Sequence, residues 1–248
     1  MKKLVILACS VVAILFMQSA KAQTLDDILK AHFDATGQDA LLKVEGYKIT
    51  GKLYQGGIEI PIESYTKRPG KIRFQGTFMG MTFVQTFNGS EGWELNPFQG
   101  STTPEPMSAD ALDDMKLSAD IDGFLWNWKE KGYLVTYEGT EDVEGTPCYK
   151  IKVVVKNEDV YYVYIDQDSY MLLRTNSKTM VQGVEVESDT YYSNFMLVDG
   201  IAFPGKSEIK YSGQTALSFT FEKYELNVAI LDGLFEKPVT SEPAIENK

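Results

Sequence analysis

Histidine and cysteine are nearly missing from this chain: it holds one histidine, His32, and two cysteines, Cys9 and Cys148. A single histidine excludes most histidine-rich metal sites. It also leaves Ser90 in Gly89-Ser90-Glu91-Gly92 without a downstream base, and that stretch lacks the Gly-x-Ser-x-Gly pattern of a hydrolase elbow. With Cys9 inside an N-terminal apolar run, only Cys148 is left for the folded part, so neither a disulfide framework nor a cysteine metal site is available. Basic residues are also short, 24 against 35 acidic, for a net charge of −11. A surface of that sign repels nucleic acid and anionic lipid headgroups. Low-complexity segments and internal repeats are absent.

The chain opens with a charged Met1-Lys2-Lys3, an apolar run Leu4 to Met17, and the small-residue stretch Ala20-Lys21-Ala22. This is the layout of an export signal, with cleavage expected near Ala22, before Gln23. The run is too short to span about 30 Å of hydrocarbon as an anchor. Cys9 lies in its middle, where an acylated cysteine would end it. Removing 22 of the 248 residues leaves 226, and losing Lys2, Lys3 and Lys21 takes the net charge from −11 to −14. The expected organisation is a signal peptide at 1–22, one domain at 23–237 and a flexible polar tail at 238–248. The chain is expected to be exported.

Thr24-Leu25-Asp26-Asp27 has the spacing of a capping box, and Leu25, Ile28, Leu29, His32 and Phe33 follow at helical period until Gly37. His32 on that apolar face reads as a packed histidine rather than a catalyst. A short second helix is expected within Gln38 to Val44. From Tyr47 the period becomes two. Alternating runs predict strands around Tyr47–Leu53, Ile58–Ile62, Ile72–Phe78, Met81–Phe87 and Gly92–Leu95, with Asn88-Gly89 as a hairpin turn. After Asn96-Pro97-Phe98 come a Pro/Thr/Gly loop, a helix capped by Ser108, and a partly helical stretch from Leu117 to Lys131 carrying Phe124, Leu125, Trp126 and Trp128. Those aromatics need an apolar surface, and the sheet supplies the large one.

Gly145 to Lys210 is an antiparallel meander: apolar, β-branched or aromatic runs separated by Asn157-Glu158-Asp159, Asp166-Gln167-Asp168, Gln182-Gly183 and Asp199-Gly200. Two further strands are expected over Ala202–Tyr211 and Ala216–Leu226. Cys148 alternates with Lys150 and Lys152 and reads as a half-buried strand residue. The acidic pairs Asp26/Asp27, Asp113/Asp114, Asp120/Asp122 and Asp166/Asp168 fall in turns and on helix surfaces, so they read as solvated charge. A glycan hydrolase would need two of them facing across one cleft. No catalytic constellation, metal site or cofactor motif emerges. A curved sheet loosely covered by helices makes an apolar cavity, and a tightly covered one makes only a core.

Two stretches carry a resemblance. Lys67-Arg68-Pro69, entering Ile72-Arg73-Phe74, resembles the strand entry of the periplasmic outer-membrane lipoprotein carriers, the LolA-like family. Phe87-Asn88-Gly89-Ser90-Glu91-Gly92-Trp93-Glu94-Leu95-Asn96-Pro97-Phe98 is similar to that family's turn and Trp strand ending in Asn-Pro-Phe. Val198-Asp199-Gly200-Ile201-Ala202-Phe203-Pro204 is similar to relatives in the superfamily. The resemblance implies a mainly β fold with α, an unclosed antiparallel barrel of about eleven strands covered by helices. It implies no enzyme activity and no cofactor, but a soluble carrier that takes lipoprotein acyl chains, or a similar amphiphile, toward the outer membrane. Such a carrier would be a monomer with an inner-membrane donor and an outer-membrane acceptor. By resemblance Ile72 and Phe74 line the cavity; by alternation Phe78, Phe83, Phe87 and Trp93 join them. Arg68 matches a latch onto a lid drawn from Met107 to Trp128, including Phe124, Leu125 and Trp126. The alternative is a periplasmic binding or regulatory module of the same fold that contacts a partner protein without carrying lipid.

Overall fold

The computed structural model describes residues 23–181 and 184–239. The leader 1–22, the turn Gln182-Gly183 and residues 240–248 of the expected tail lie outside the described residues. Helix α1 is Leu25–Thr36, and its capping box is complete: Thr24 Oγ1 accepts from the Asp27 amide and the Asp27 carboxylate accepts from the Thr24 amide, each at 3.2 Å. Gly37 ends it in the left-handed region at φ 77°. A short α2, Gln38–Leu41, follows, and α3 spans Ala109–Ser118 with Ser108 as its cap.

The strands are β1 Gly46–Gln55, β2 Ile58–Lys67, β3 Lys71–Phe78, β4 Met81–Phe87, β5 Gly92–Leu95, β6 Glu105–Pro106, β7 Leu134–Val143, β8 Thr146–Val154, β9 Val160–Asp166, β10 Leu172–Val181, β11 Val184–Ser193, β12 Met196–Val198, β13 Ile201–Phe203, β14 Lys206–Tyr211 and β15 Gln214–Leu226. Thirteen form one sheet in the order β6-β5-β4-β3-β2-β1-β15-β14-β11-β10-β9-β8-β7, while β12 and β13 pair only with each other. All neighbours pair antiparallel; β1 closes onto β15 to join the two halves of the chain, and β11 reaches β14 by way of the β12–β13 hairpin. The sheet has two edges, β6 and β7. These are consecutive in sequence, so residues 107–133 must pass from one edge to the other, across the open side.

Two expectations change. The run read as one strand over 202–211 breaks at Pro204-Gly205. Pro204 has no amide to donate, and β12–β13 leaves the main sheet as a separate hairpin. The stretch 117–131 is not helical beyond Ser118 but a chain of turns, because Gly123, Asn127 and Gly132 all take positive φ (72°, 49° and 73°). The tail boundary also shifts slightly, since Pro238 is buried.

The inner face is covered in patches. Ile28 and Leu29 of α1 and Leu125 of the insert pack on Ile151, Val153, Val163 and Ile165 of β8 and β9. Val44 and the β12–β13 hairpin pack on Tyr224 of β15. Met115 of α3 and the neighbouring Ala119 seal Ile72 and Phe87. On the outer face the C-terminal segment crosses β2–β4. Phe235 is fully buried there, and its carbonyl accepts from Thr86 Oγ1 at 2.9 Å. Burying such a side chain is worth about 1.5–3 kcal/mol, enough to hold a segment with little secondary structure.

Candidate ligand-binding site

At the turn ends of β1–β4 and β15 the inner face is not filled. A cavity of about 580 Å³ opens among Leu53, Ile60, Phe74, Phe78, Phe83 and Phe219, with the 3₁₀ turn Pro97–Gln99 forming one rim through Phe98. This volume lies within the range of small-molecule pockets. Phe74 and Phe83 meet at 5.5 Å between ring centroids, and Phe74 meets Phe219 edge-on at 6.2 Å. Gly76 creates the room for this arrangement: a Cβ there would lie 2.5 Å from the Phe83 ring. The strand pattern therefore alternates large rings with one residue of no side chain, and the ring of Phe83 lies across that gap.

Of the six lining residues expected from the sequence, the structure brings Phe74, Phe78 and Phe83 together around the cavity. Ile72 and Phe87 sit one step along the same face but under α3, packed and buried. Trp93 is on the other face, because its register partner is Thr86, the neighbour of Phe87 along β4. Alternation within β4 puts Phe83 and Phe87 on one face, while the face that Trp93 of β5 takes is set by the hairpin register. Leu53, Ile58, Ile60, Leu217 and Phe219 were missed as lining residues. The alternation of Ile58 and Ile60 was visible, but Phe219 joins them only through the β1–β15 pairing of distant segments.

Arg68 lies at the opposite strand ends, in the β2–β3 turn. Its Nη1 and Nη2 donate to the two carboxylate oxygens of Asp122 at 2.8 and 2.5 Å. Nε donates to the Val44 carbonyl at 2.8 Å and Nη2 also reaches Leu41 O at 3.3 Å. One guanidinium thus ties the sheet to the α2 end and to the turn after α3, using the rigid fork that lysine lacks. The Asp122 partner holds the Arg68 pKa above its ordinary value, against the opposing effect of burial.

Phe124, Leu125 and Trp126 lie at the other end of the sheet from the cavity. Leu125 is buried on β8 and β9, Phe124 packs 5.7 Å from Tyr161, and Trp126 meets Phe33 of α1 edge-on at 5.0 Å. They close one half of the inner face and do not touch the cavity. A second depression of about 600 Å³ runs between α1 and residues 125–130, lined by Trp126 and Trp128 but rimmed by Asp26, Asp34, Asp39 and Glu130. Its charged rim fits hydrocarbon less well than the apolar cavity does.

Other singled-out residues are structural. His32 is buried with Nδ1 2.8 Å from the Tyr170 carbonyl, and since a carbonyl only accepts, Nδ1 carries the proton. Burial lowers its pKa. Cys148 is fully buried and burial raises its thiol to about 11, so it is a poor nucleophile. Asp120 pairs with Lys131 and Asp122 with Arg68, while Asp166 accepts from its own turn at Ser169. Among the described residues no cluster of three or more His, Cys, Asp or Glu is placed to hold a metal, and no helix is long and apolar enough to cross a membrane.

An open antiparallel sheet wrapped over helices, with a cavity on its inner face, is the LolA-like fold. The chain aligns with a LolA superfamily protein from Nitrosomonas europaea at TM-score 0.58 and 12% identity, covering 87% of this chain and 99% of the other. A putative outer membrane lipoprotein-sorting protein domain from Vibrio parahaemolyticus gives 0.57 at 11% identity, covering 84% and 97%. A DUF1329 family protein from Desulfovibrio piger gives 0.57 at 14%, with the same coverage. No protein-family model and no curated protein sequence matches the chain.

Proposed function

We propose that this protein is an exported, periplasmic carrier that takes the acyl chains of a lipoprotein, or a similar amphiphile, between its sheet and its helices. The observation that carries this reading is the 580 Å³ cavity walled by Leu53, Ile60, Phe74, Phe78, Phe83 and Phe219. Each methylene buried there is worth about 0.8 kcal/mol, so roughly a dozen would supply on the order of 10 kcal/mol before entropic costs. Binding of this kind needs no catalytic group.

The same reading gives α3 a role. Ile72 and Phe87 continue the apolar row of Phe74, and α3 covers them with little more than Met115, Ala119, Met107 and Leu112. Arg68 holds the chain just past α3 through Asp122. Release of that contact would let α3 lift and join the covered patch to the open cavity, lengthening the space for a chain. A ligand that stabilises the lifted state shifts the equilibrium toward it by its differential affinity.

Native mass spectrometry and lipid extraction of protein purified from the periplasm test the proposal. Co-purifying alkyl-chain species are expected. Protein that is repeatedly empty and rejects fluorescent acyl probes would leave the alternative, a module that binds a partner protein through the same fold.

A further inference from the structure

The cavity's lining contains no lysine, arginine or histidine. Its sixteen residues are apolar, glycine or neutral amide with one exception, Glu94. The amides Gln55, Gln85, Asn96 and Gln99 share that lining with the carboxylate, and Glu105 is exposed just outside it. A row of direct register partners leads outward from the floor: Phe74 pairs with Gln85, Gln85 with Glu94, and Glu94 with Glu105 at the sheet edge. Direct partners on antiparallel strands share a face, so the hydrocarbon floor runs into a neutral amide and then into two adjacent carboxylates. Like charges placed opposite each other on neighbouring strands repel, and among the described residues neither carboxylate has a hydrogen-bond or ion-pair partner.

We propose that the cavity selects amphiphiles by headgroup charge, accepting a cationic (ammonium) headgroup at Glu94 and Glu105 while the hydrocarbon chain lies on Phe74, Phe78 and Phe83. This rests on the reading of the cavity as a site for hydrocarbon. An anionic headgroup seated beside Glu94 would lose water, find no cation in the lining, and face the carboxylates of that row. A neutral headgroup would use the amides alone. An ammonium group gains the partner both carboxylates lack, and relieves their mutual repulsion.

The test uses three single-chain probes of equal length, dodecyltrimethylammonium, dodecyl maltoside and dodecyl phosphate. All are kept below their micellar concentrations in 150 mM salt, and titration calorimetry reads the affinities for the full mature chain. The cation is expected to bind at least tenfold more tightly than the phosphate, with the maltoside between them. In Glu94→Gln/Glu105→Gln that ratio should fall to threefold or less with the maltoside unchanged. A control, Glu138→Gln/Glu158→Gln, removes the same charge away from the cavity and from the depression beside α1, and should keep the wild-type ratio. Equal or tighter binding of the phosphate, or a ratio that persists in Glu94→Gln/Glu105→Gln or drops equally in the control, overturns the headgroup assignment while leaving the hydrocarbon site standing. Failure of all three probes to bind overturns the assignment and the hydrocarbon site together.

Discussion

Single residues in this protein do work that their neighbours in sequence do not announce. Gly37 ends α1 at φ 77° and meets the β12–β13 turn so closely that a Cβ would lie 2.0 Å from the Gly200 carbonyl oxygen. Gly37→Ala therefore carries both a backbone penalty and a clash with backbone, and is expected to cost about 2 kcal/mol or more. A urea-unfolding free energy lowered by less than about 0.5 kcal/mol would mean that the hairpin moves aside freely. His32 offers a second test at this scale, since it is the only histidine and its resonances need no assignment. Burial lowers its pKa in the folded state. The unfolded chain, titrating near 6.5, therefore takes up a proton first as pH falls. Stability from this group is full above about 6.5 and is lost as pH drops from there toward the folded value. An NMR titration giving a pKa at or above 6.5 would contradict the buried, neutral imidazole.

At the scale of elements, Arg68 ties the β2–β3 turn to the chain just past α3 through Asp122. A bidentate, half-buried arginine–carboxylate pair loses its fork on Arg68→Lys even though the charge remains. Amide exchange over 109–123 is expected to quicken by roughly tenfold, equivalent to about 1.4 kcal/mol, while exchange in β8 and β9 stays as it was. Uniform quickening would show instead that Arg68 supports the whole fold. Much of this level was legible in the sequence. The capping box at Thr24 and Asp27, the stop at Gly37, the Asn88-Gly89 hairpin and the Ser108 cap all follow local rules, and all are where those rules place them. What stayed hidden is non-local. The β1–β15 closure that brings Phe219 to Phe74 joins residues far apart in sequence, and so does the contact of Arg68 with Asp122. Trp93 shows the limit most plainly. Its apolar character fits either face, and only the register with Thr86 decides which.

For the whole molecule, the division of the inner face is what counts. One half is closed by α1 and Leu125, the centre by the β12–β13 hairpin, and a further patch by α3, while the turn ends of β1–β4 and β15 keep their rings exposed to a void. A domain that simply needed a core would gain by filling that space, since unfilled apolar volume forfeits packing energy. Aromatic side chains that touch one another but still face a void fit a guest that supplies the missing contacts. The excess of acidic residues disfavours contact with anionic membrane, in keeping with the proposed carrier. Photolabelling with a diazirine-bearing acyl probe, read by peptide mass spectrometry, tests this most directly. Labels concentrated on Phe74, Phe78, Phe83, Phe98 and Phe219 are the predicted result. Labels confined to the depression between α1 and residues 125–130, or scattered without preference, would contradict it.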